Sequence, residues 1–463
     1  MDLKNLTIQN IWLRLRFSSY FRDVAMVSLG TGIGQATLLI SAPVLTRLYS
    51  PQDFGVFAIF TTSHMLLTLF ITCKFEQAIV LEDTHHNALN LCYLVMVFGG
   101  AVAFVFTLFF LFFRNEILSW SGNSEFGFIL LCLPLFSWLG GMAITGYYWS
   151  HRLKRFDRAG TSAMASKLAQ SVASIILGLI PLRLPQGVGL MIGFAVGSAF
   201  QSGLTLPLRP KKLEKVFGQP FRLGITSAVR RHWRLCFSLV GSQGLSLLAG
   251  NAIVYAIGAI YGDVRLGLFA LATRMVAAPS KLISKSIGDV YRQRAARQYQ
   301  LRGRFDDLML TTFNKTLSIA IVPDLLAMIL VVPIFSFVFG QEWTEAGEYA
   351  RVLLVSGLFS FILTPLDKAA LIIGAKAYIL LWHAVRLTGV ISIFAAAFYF
   401  NLHIMTCLWI YALLQISLYI FDFFYELRLA KGLHPSSIQV MSKVSHSKGR
   451  SVDTQKPSFF QKT

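Results

Sequence analysis

Apolar residues run in long blocks, each close to the length of a membrane crossing, with polar clusters between them. The blocks are Val24–Leu45, Phe54–Thr72, Ala88–Phe113, Phe126–Trp149, Thr161–Leu182, Val188–Leu206, Leu235–Ile260, Thr316–Phe339, Ala350–Gly374, Tyr378–Phe400 and Ile404–Tyr425. A hydrocarbon core about 30 Å thick takes about 20 helical residues to cross. Helices suit it because they close their backbone hydrogen bonds internally. A further stretch, Leu266–Tyr299, is apolar but interrupted by cations. Including it, the pattern predicts twelve spans; a hydropathy window alone reports eleven, because the cations weaken that stretch.

Composition agrees with this pattern. The 463 residues are 55% hydrophobic and 14% charged, with mean hydropathy +0.60, well beyond the apolar share of a soluble domain. The net charge of +20 would point to nucleic acid in a soluble protein, but here the cations alternate with the spans, so no nucleic-acid partner is expected. They gather at Arg14, Arg16 and Arg22, at Arg152–Arg158, at Lys211–Arg234, at Arg292–Arg304 and in the C-terminal tail, whereas Gln341–Glu348 is acidic. Basic loops stay on the cytoplasmic side, so both termini are expected there and the number of spans must be even.

The expected organisation is a cytoplasmic interfacial segment over 1–22 and a six-helix bundle over 23–208. A basic connection over 209–232 leads to a second bundle over 233–430, and the tail 431–463 is too polar to fold. Ile8, Ile11, Trp12 and Leu15 form a short amphipathic stripe beside Arg14 and Arg16, as an interfacial helix does. No cleavable leader is expected. The five cysteines, Cys73, Cys92, Cys132, Cys236 and Cys407, lie in or beside spans without metal-ligand spacing, so neither a disulfide nor a metal site is expected.

Candidate chemistry centres on Leu266–Tyr299. Arg274, Lys281, Lys285 and Arg292 fall within about 20° of one face at about 100° per helical residue. They form a positive stripe about 27 Å long, and Pro279 inside it is expected to bend the helix. Each cation near the bilayer centre costs about 3 kcal/mol, so the stripe must face protein or water, an arrangement suited to an anionic ligand. On sequence alone the alternative stays open, with Lys285 and Arg292 snorkelling to headgroups and Arg274 and Lys281 paired with carboxylates. In the first span, Ser28, Thr31 and Gln35 share a polar face, and Gly30 and Gly34 permit a close helix neighbour.

An internal repeat organises the chain. Tyr49, Gly55, Phe57 and Ala58 recur as Tyr261, Gly267, Phe269 and Ala270 at a constant offset of 212 (261 − 49, 267 − 55, 269 − 57, 270 − 58). Six spans per period predict two six-helix halves in the same orientation, related by a pseudo-two-fold along the membrane normal, with substrate between them. The fold class is thus an all-α polytopic membrane protein. The repeat aligns the striped helix with the second span, which carries Lys74 and Glu76 about two turns before its expected end at Leu81. Two apart in a helix, these address different neighbours. Lys167, Asp324, Asp367, Lys368 and Asp422 are further ionisable residues in spans, and Asp324, behind Pro323, is the most exposed to the dielectric penalty.

Four passages in order carry a family likeness: Pro43-Val-Leu-Thr-Arg-Leu-Tyr-Ser-Pro-Gln-Asp-Phe-Gly55, Lys74-Phe-Glu-Gln-Ala-Ile-Val-Leu81, Gly288-Asp-Val-Tyr-Arg-Gln-Arg-Ala-Ala296 and Phe339-Gly-Gln-Glu-Trp-Thr-Glu-Ala-Gly-Glu-Tyr-Ala350. The chain resembles the oligosaccharide flippases of bacterial polysaccharide export, the Wzx-like O-antigen branch of the superfamily that includes multidrug and toxin extruders. Lys74 departs from the arginine many relatives carry. The resemblance implies movement of an undecaprenyl-diphosphate-linked oligosaccharide from the cytoplasmic to the periplasmic leaflet of the inner membrane. It implies no catalytic residue and no cofactor, with drive from a proton or sodium gradient. Beside the lipid bilayer, the resemblance implies a polysaccharide polymerase and a chain-length regulator as protein partners. Arg274, Lys281, Lys285, Lys74, Arg47 and Gln35 are then the candidate substrate-binding residues, and Glu76 and Asp324 the candidates for ion coupling. An exporter of another lipid-linked glycan or small molecule, or less readily a membrane-embedded glycan polymerase, remains the competing reading.

Overall fold

The computed structural model describes residues 19–116, 126–180, 185–207 and 219–432, and every long element among them is a helix. The expected interfacial stripe at the N-terminus and the tail beyond residue 432 lie outside the described residues. In chain order the helices are α1 (Ser19–Leu48), α2 (Pro51–Thr72), a short α3 (Phe75–Ala78), α4 (His85–Phe112), α5 (Phe126–Arg152), α6 (Phe156–Leu179) and α7 (Val188–Thr205). They continue with α8 (Gln219–Arg302), α9 (Asp306–Phe339), α10 (Thr344–Leu363), a short α11 (Ala369–Ile373), α12 (Lys376–Phe400) and α13 (Ile404–Ala430). Among the described residues, eleven continuous stretches are long and apolar enough to cross a membrane. One of them, α8, has 84 residues, about 126 Å of helix and far more than one crossing. It breaks at Gly262, whose φ of 83° and ψ of 173° are non-helical. Counting the parts on either side of that break separately gives twelve spans. The backbone stays helical through Pro279, so the interruption falls 17 residues earlier (279 − 262) than the proline suggested. From Gln219 onward the expected polar connection is already helix.

Large apolar side chains are exposed along the spans, Phe337 at 86% and Phe112 at 78% among them. A water-soluble protein does not display such surface on every helix; lipid covers it here. The chain is a multi-pass membrane protein.

Two compact units make up the chain. The first comprises residues 1–279, 326–355 and 380–412, the second residues 280–325, 356–379 and 413–463. In the first unit, α2 starts with a capping box. Ser50 Oγ accepts from the Asp53 amide at 3.3 Å, while Asp53 Oδ2 accepts from the Ser50 amide at 2.8 Å. Asp53 Oδ1 also accepts from the Gly187 amide at 2.7 Å, tying this start to the turn before α7. Helices α1 and α6 cross where both carry glycine: a Cβ on Gly30 would lie 2.3 Å from the Gly160 carbonyl oxygen, so only glycine fits. This is the close approach foreseen at Gly30 and Gly34.

The repeat appears in three dimensions as a reciprocal crossing. A Cβ on Gly55 would lie 1.9 Å from the Asp263 carbonyl oxygen, and one on Gly267 would lie 1.7 Å from the Pro51 carbonyl oxygen. Asp263 is the repeat counterpart of Pro51 (263 − 51 = 212). Residue i of one repeat therefore touches residue j of the other, and j touches i, the signature of a two-fold.

The second unit packs on its own core, in which Tyr291, Phe305, Met309, Ile362, Leu366, Ala370 and Leu429 are buried. The Phe305 amide donates to the Ala430 carbonyl at 3.0 Å, fixing the end of α13.

Candidate functional site

Helix α1 positions the first group of chemistry-bearing side chains. Arg274 donates from Nη2 to the Leu38 carbonyl at 3.4 Å. One turn away, Gly34 leaves room for the stem of Lys167, whose Cγ would lie 3.2 Å from a Cβ placed on that glycine. Lys167 Nζ donates to Gln170 Oε1 at 3.1 Å and stands 5.5 Å from the centroid of the Phe194 ring. His64, 6% exposed, packs against the same Phe194 at 4.8 Å between centroids, and its Nδ1 has no hydrogen-bond partner among the described residues. Lys167 lies within electrostatic reach of both His64 and Arg274. Two basic side chains, from α6 and α8, thus gather beside one stretch of α1, and His64 of α2 stands on the far side of Phe194 within reach of Lys167. Among the described residues, no ion pair involves Arg274 or Lys167.

The other sequence candidates are dispersed. Gln35 neighbours Gly34 on α1 and is partly buried. Arg47 is exposed near the end of α1, nine residues beyond Leu38 (47 − 38) and so about 13 Å along the helix. Its guanidinium lies 3.7 Å from the Cβ position of Gly340. Lys281 and Lys285 belong to the second unit and are exposed. Arg292 contacts Asp289 at 3.7 Å, both side chains being more than half exposed. Of the four cations in the stripe, Arg274 alone lies in the first unit with the α1 group. Asp324, in α9, is partly buried, and its Oδ2 has no partner among the described residues.

Lys74 and Glu76 depart from the helical expectation. Span α2 ends at Thr72, and Cys73 and Lys74 both take left-handed backbone, with φ of 45° and 62°. That turn reorients the chain, so the two side chains meet at 3.6 Å and do not address separate neighbours. Two consecutive non-glycine residues in this region store strain. Glu76 is 1% exposed; burial pushes its carboxyl above the usual range, and the Lys74 ammonium opposes that shift.

Beyond this turn, Glu82 is buried, accepting from Arg231 Nη1 at 3.1 Å and lying 2.9 Å from His232 Nε2. Arg152 donates to the Ile79 carbonyl at 3.2 Å and also to the Glu82 carbonyl. The first turns of α8 are thereby anchored on the segment between α3 and α4. The sequence marked none of these as a set, because Arg152 lies 70 residues from Glu82, and Arg231 and His232 149 and 150 residues from it.

The polysaccharide biosynthesis protein family profile matches residues 44–348, well over half of the chain. The chain belongs to that family. The succinoglycan biosynthesis transport protein ExoT of Rhizobium meliloti is 22% identical over 330 residues, which are 70% of this chain and 63% of ExoT. The match thus spans less than two thirds of ExoT's length. An uncharacterized membrane protein in the cps region of Klebsiella pneumoniae is 21% identical over 77% of this chain and 71% of its own length. The lipid II flippase MurJ, in an inward closed conformation, superposes with a TM-score of 0.65 at 13% identity over 94% of each chain. A multidrug resistance MATE family transporter of the MOP superfamily, facing inward, gives 0.56 at 14% identity over 88% of this chain and 94% of its own. At these identities the likeness to solved structures establishes the fold, which this family member shares with MurJ and MATE transporters.

Proposed function

We propose that the chain is a flippase. It moves oligosaccharides carried on undecaprenyl diphosphate from the cytoplasmic to the periplasmic leaflet of a bacterial inner membrane, for O-antigen or another surface polysaccharide, and both its termini are cytoplasmic. The observation that carries this reading is the gathering of Arg274 and Lys167 beside α1, with no acidic partner for either among the described residues. Cations buried in a bilayer slab are stable when an anion or water meets them. A diphosphate supplies that charge through short charge-assisted hydrogen bonds. The family membership and the MurJ-like fold support the same direction.

The chemistry is transport, with no covalent step. The basic groups stand in for the hydration shell of the diphosphate while the prenyl chain stays in lipid, and alternating access releases the head on the far side. Gln35, on the same helix as Leu38, is assigned to the sugar or phosphate. Lys281, Lys285, Lys74 and Arg47 are assigned to guiding the anion toward the site, and Glu76 and Asp324 to coupling with a proton or sodium gradient. A polymerase and a chain-length regulator would receive the product.

The test reconstitutes the full chain in vesicles with undecaprenyl-diphosphate oligosaccharide and measures the fraction of glycan that becomes accessible to a glycosidase outside. Arg274→Gln and Lys167→Gln should each slow flipping by about 10–100-fold, the loss of one charge-assisted contact. Wild-type rates in both variants would overturn the reading.

A further inference from the structure

Three spans end together in the first unit, and the face of α8 that this meeting leaves open has no part in the transport reading. Helix α4 begins at His85, α5 ends at Arg152, and the sequence of α8 passes from basic to apolar between Arg234 and Leu235. Glu82 joins the three. Its carbonyl accepts from Arg152, and its carboxylate meets Arg231 and His232. Ala228 and Cys236 are buried in one core with Phe75 and Trp149, and Cys236 Sγ donates to the Lys74 carbonyl at 3.7 Å. Residues 228, 232 and 236 lie four apart, so they form a single stripe, which holds α8 against α3, α4 and α5.

That stripe decides which side chains turn outward. Arg230, Trp233, Arg234 and Phe237 fall in a sector about 100° wide on the other side of the helix. All four are exposed, Trp233 at 49% and Phe237 at 76%. Arg234 Cζ stands 5.6 Å from the centroid of the Trp233 ring. Among the described residues, neither Arg230 nor Arg234 makes an ion pair. The carboxylate of Glu82 is already met by Arg231 and His232.

An indole and a phenyl in the open beside two unpaired arginines suit one environment. Aromatic rings settle where acyl chains meet headgroups, and the guanidinium fork matches phosphate. The level is also right, because the three span ends place this turn of α8 at the bilayer surface. An acidic protein would match the arginines but leave Phe237 without a partner at the depth of the acyl chains.

We propose that this face is a docking site for an anionic phospholipid, with Arg230 and Arg234 holding the headgroup phosphate and Trp233 and Phe237 lying along the adjoining acyl chains. The site does not depend on the flippase reading, since it needs only the span ends and the face they leave open.

The test places the full-length protein in phosphatidylcholine nanodiscs containing phosphatidylglycerol with brominated acyl chains, which quench nearby indole emission. The same amount of brominated phosphatidylcholine is the reference. Wild type should be quenched more by the brominated phosphatidylglycerol, and Trp233→Phe should remove the excess. An arginine beside an anionic surface is worth about fivefold in affinity, so Arg230→Gln and Arg234→Gln should each raise the phosphatidylglycerol needed for half-maximal quenching by about that factor. Arg234→Lys, which keeps the charge, should retain most of the excess. Equal quenching by the two lipids in wild type would overturn the site, as would an excess that survives Trp233→Phe. So would loss of the excess on adding an equal amount of undecaprenyl phosphate, which would give the face to a polyprenyl carrier.

Discussion

Glu82 and His232 lie 2.9 Å apart, with the Glu82 side chain fully enclosed and Arg231 on its other oxygen. Replacing the carboxylate by an amide removes the charge and leaves one oxygen to accept, so one of the two partners meets an NH2 instead. Glu82→Gln should therefore destabilise the protein by about 1.5–3 kcal/mol, read as a lower thermal midpoint in detergent. Arg231→Ala should cost less, because that side chain is 52% exposed and water screens the interaction.

Lys167 allows stability and activity to be separated. A buried cation with no carboxylate partner is a burden on the fold, so Lys167→Met should raise the thermal midpoint while lowering the rate of glycan flipping. A drop in both quantities would mean that the lysine is structural. Arg274→Lys, which keeps the charge but loses the forked donor set, should fall between wild type and Arg274→Gln in the flipping assay.

Alanine at Gly55 or Gly267 would push a methyl group into a carbonyl at under 2 Å, and the two strands of backbone must then separate. Each substitution should lower the thermal midpoint. The double variant should cost less than the sum of the singles, since the first separation already relieves the second clash. Strict additivity would indicate two independent contacts.

Two groups outside the spans give opposite ends of a pH profile. Burial raises the Glu76 carboxyl above the ordinary glutamate value, so between those two values the folded state binds more protons than the unfolded chain. Its favourable contribution is complete below about pH 4.3 and fades as pH rises toward the folded value. Glu76→Gln should flatten that part of the curve. Tyr49, whose hydroxyl donates to the Ser174 carbonyl at 2.7 Å, is pushed up to about 12 mainly by burial, with Asp53 adding to it. Its contribution is lost between about pH 10 and pH 12, and Tyr49→Phe should remove that loss. Thermal midpoints across buffers check both.

Span positions, the Gly30–Gly34 approach and the 212-residue repeat were legible because each follows from a local pattern: an apolar run, two small residues four apart, or one motif met twice. Arg274 was legible for the same reason, as a cation inside an apolar run. Lys167 was visible as an interruption of its span but gave no sign of its neighbours, since Arg274 is more than 100 residues away. His64 carried no signal, because one histidine in an apolar run looks like ordinary packing. The meeting of Lys74 and Glu76 was hidden by their left-handed turn, which no glycine announces. The acids Asp367 and Asp422 stood out singly, but Glu426 sat near the end of a span where a charge normally faces water. Asp422 and Glu426, four apart on α13, share a face by spacing alone, whereas the approach of Asp367 from the bend before α11 follows only from packing.

The crossing of Gly55 and Gly267 has an economy to it: each repeat carries both the notch and the backbone that fills it. One motif used twice is therefore enough to build both sides of the contact.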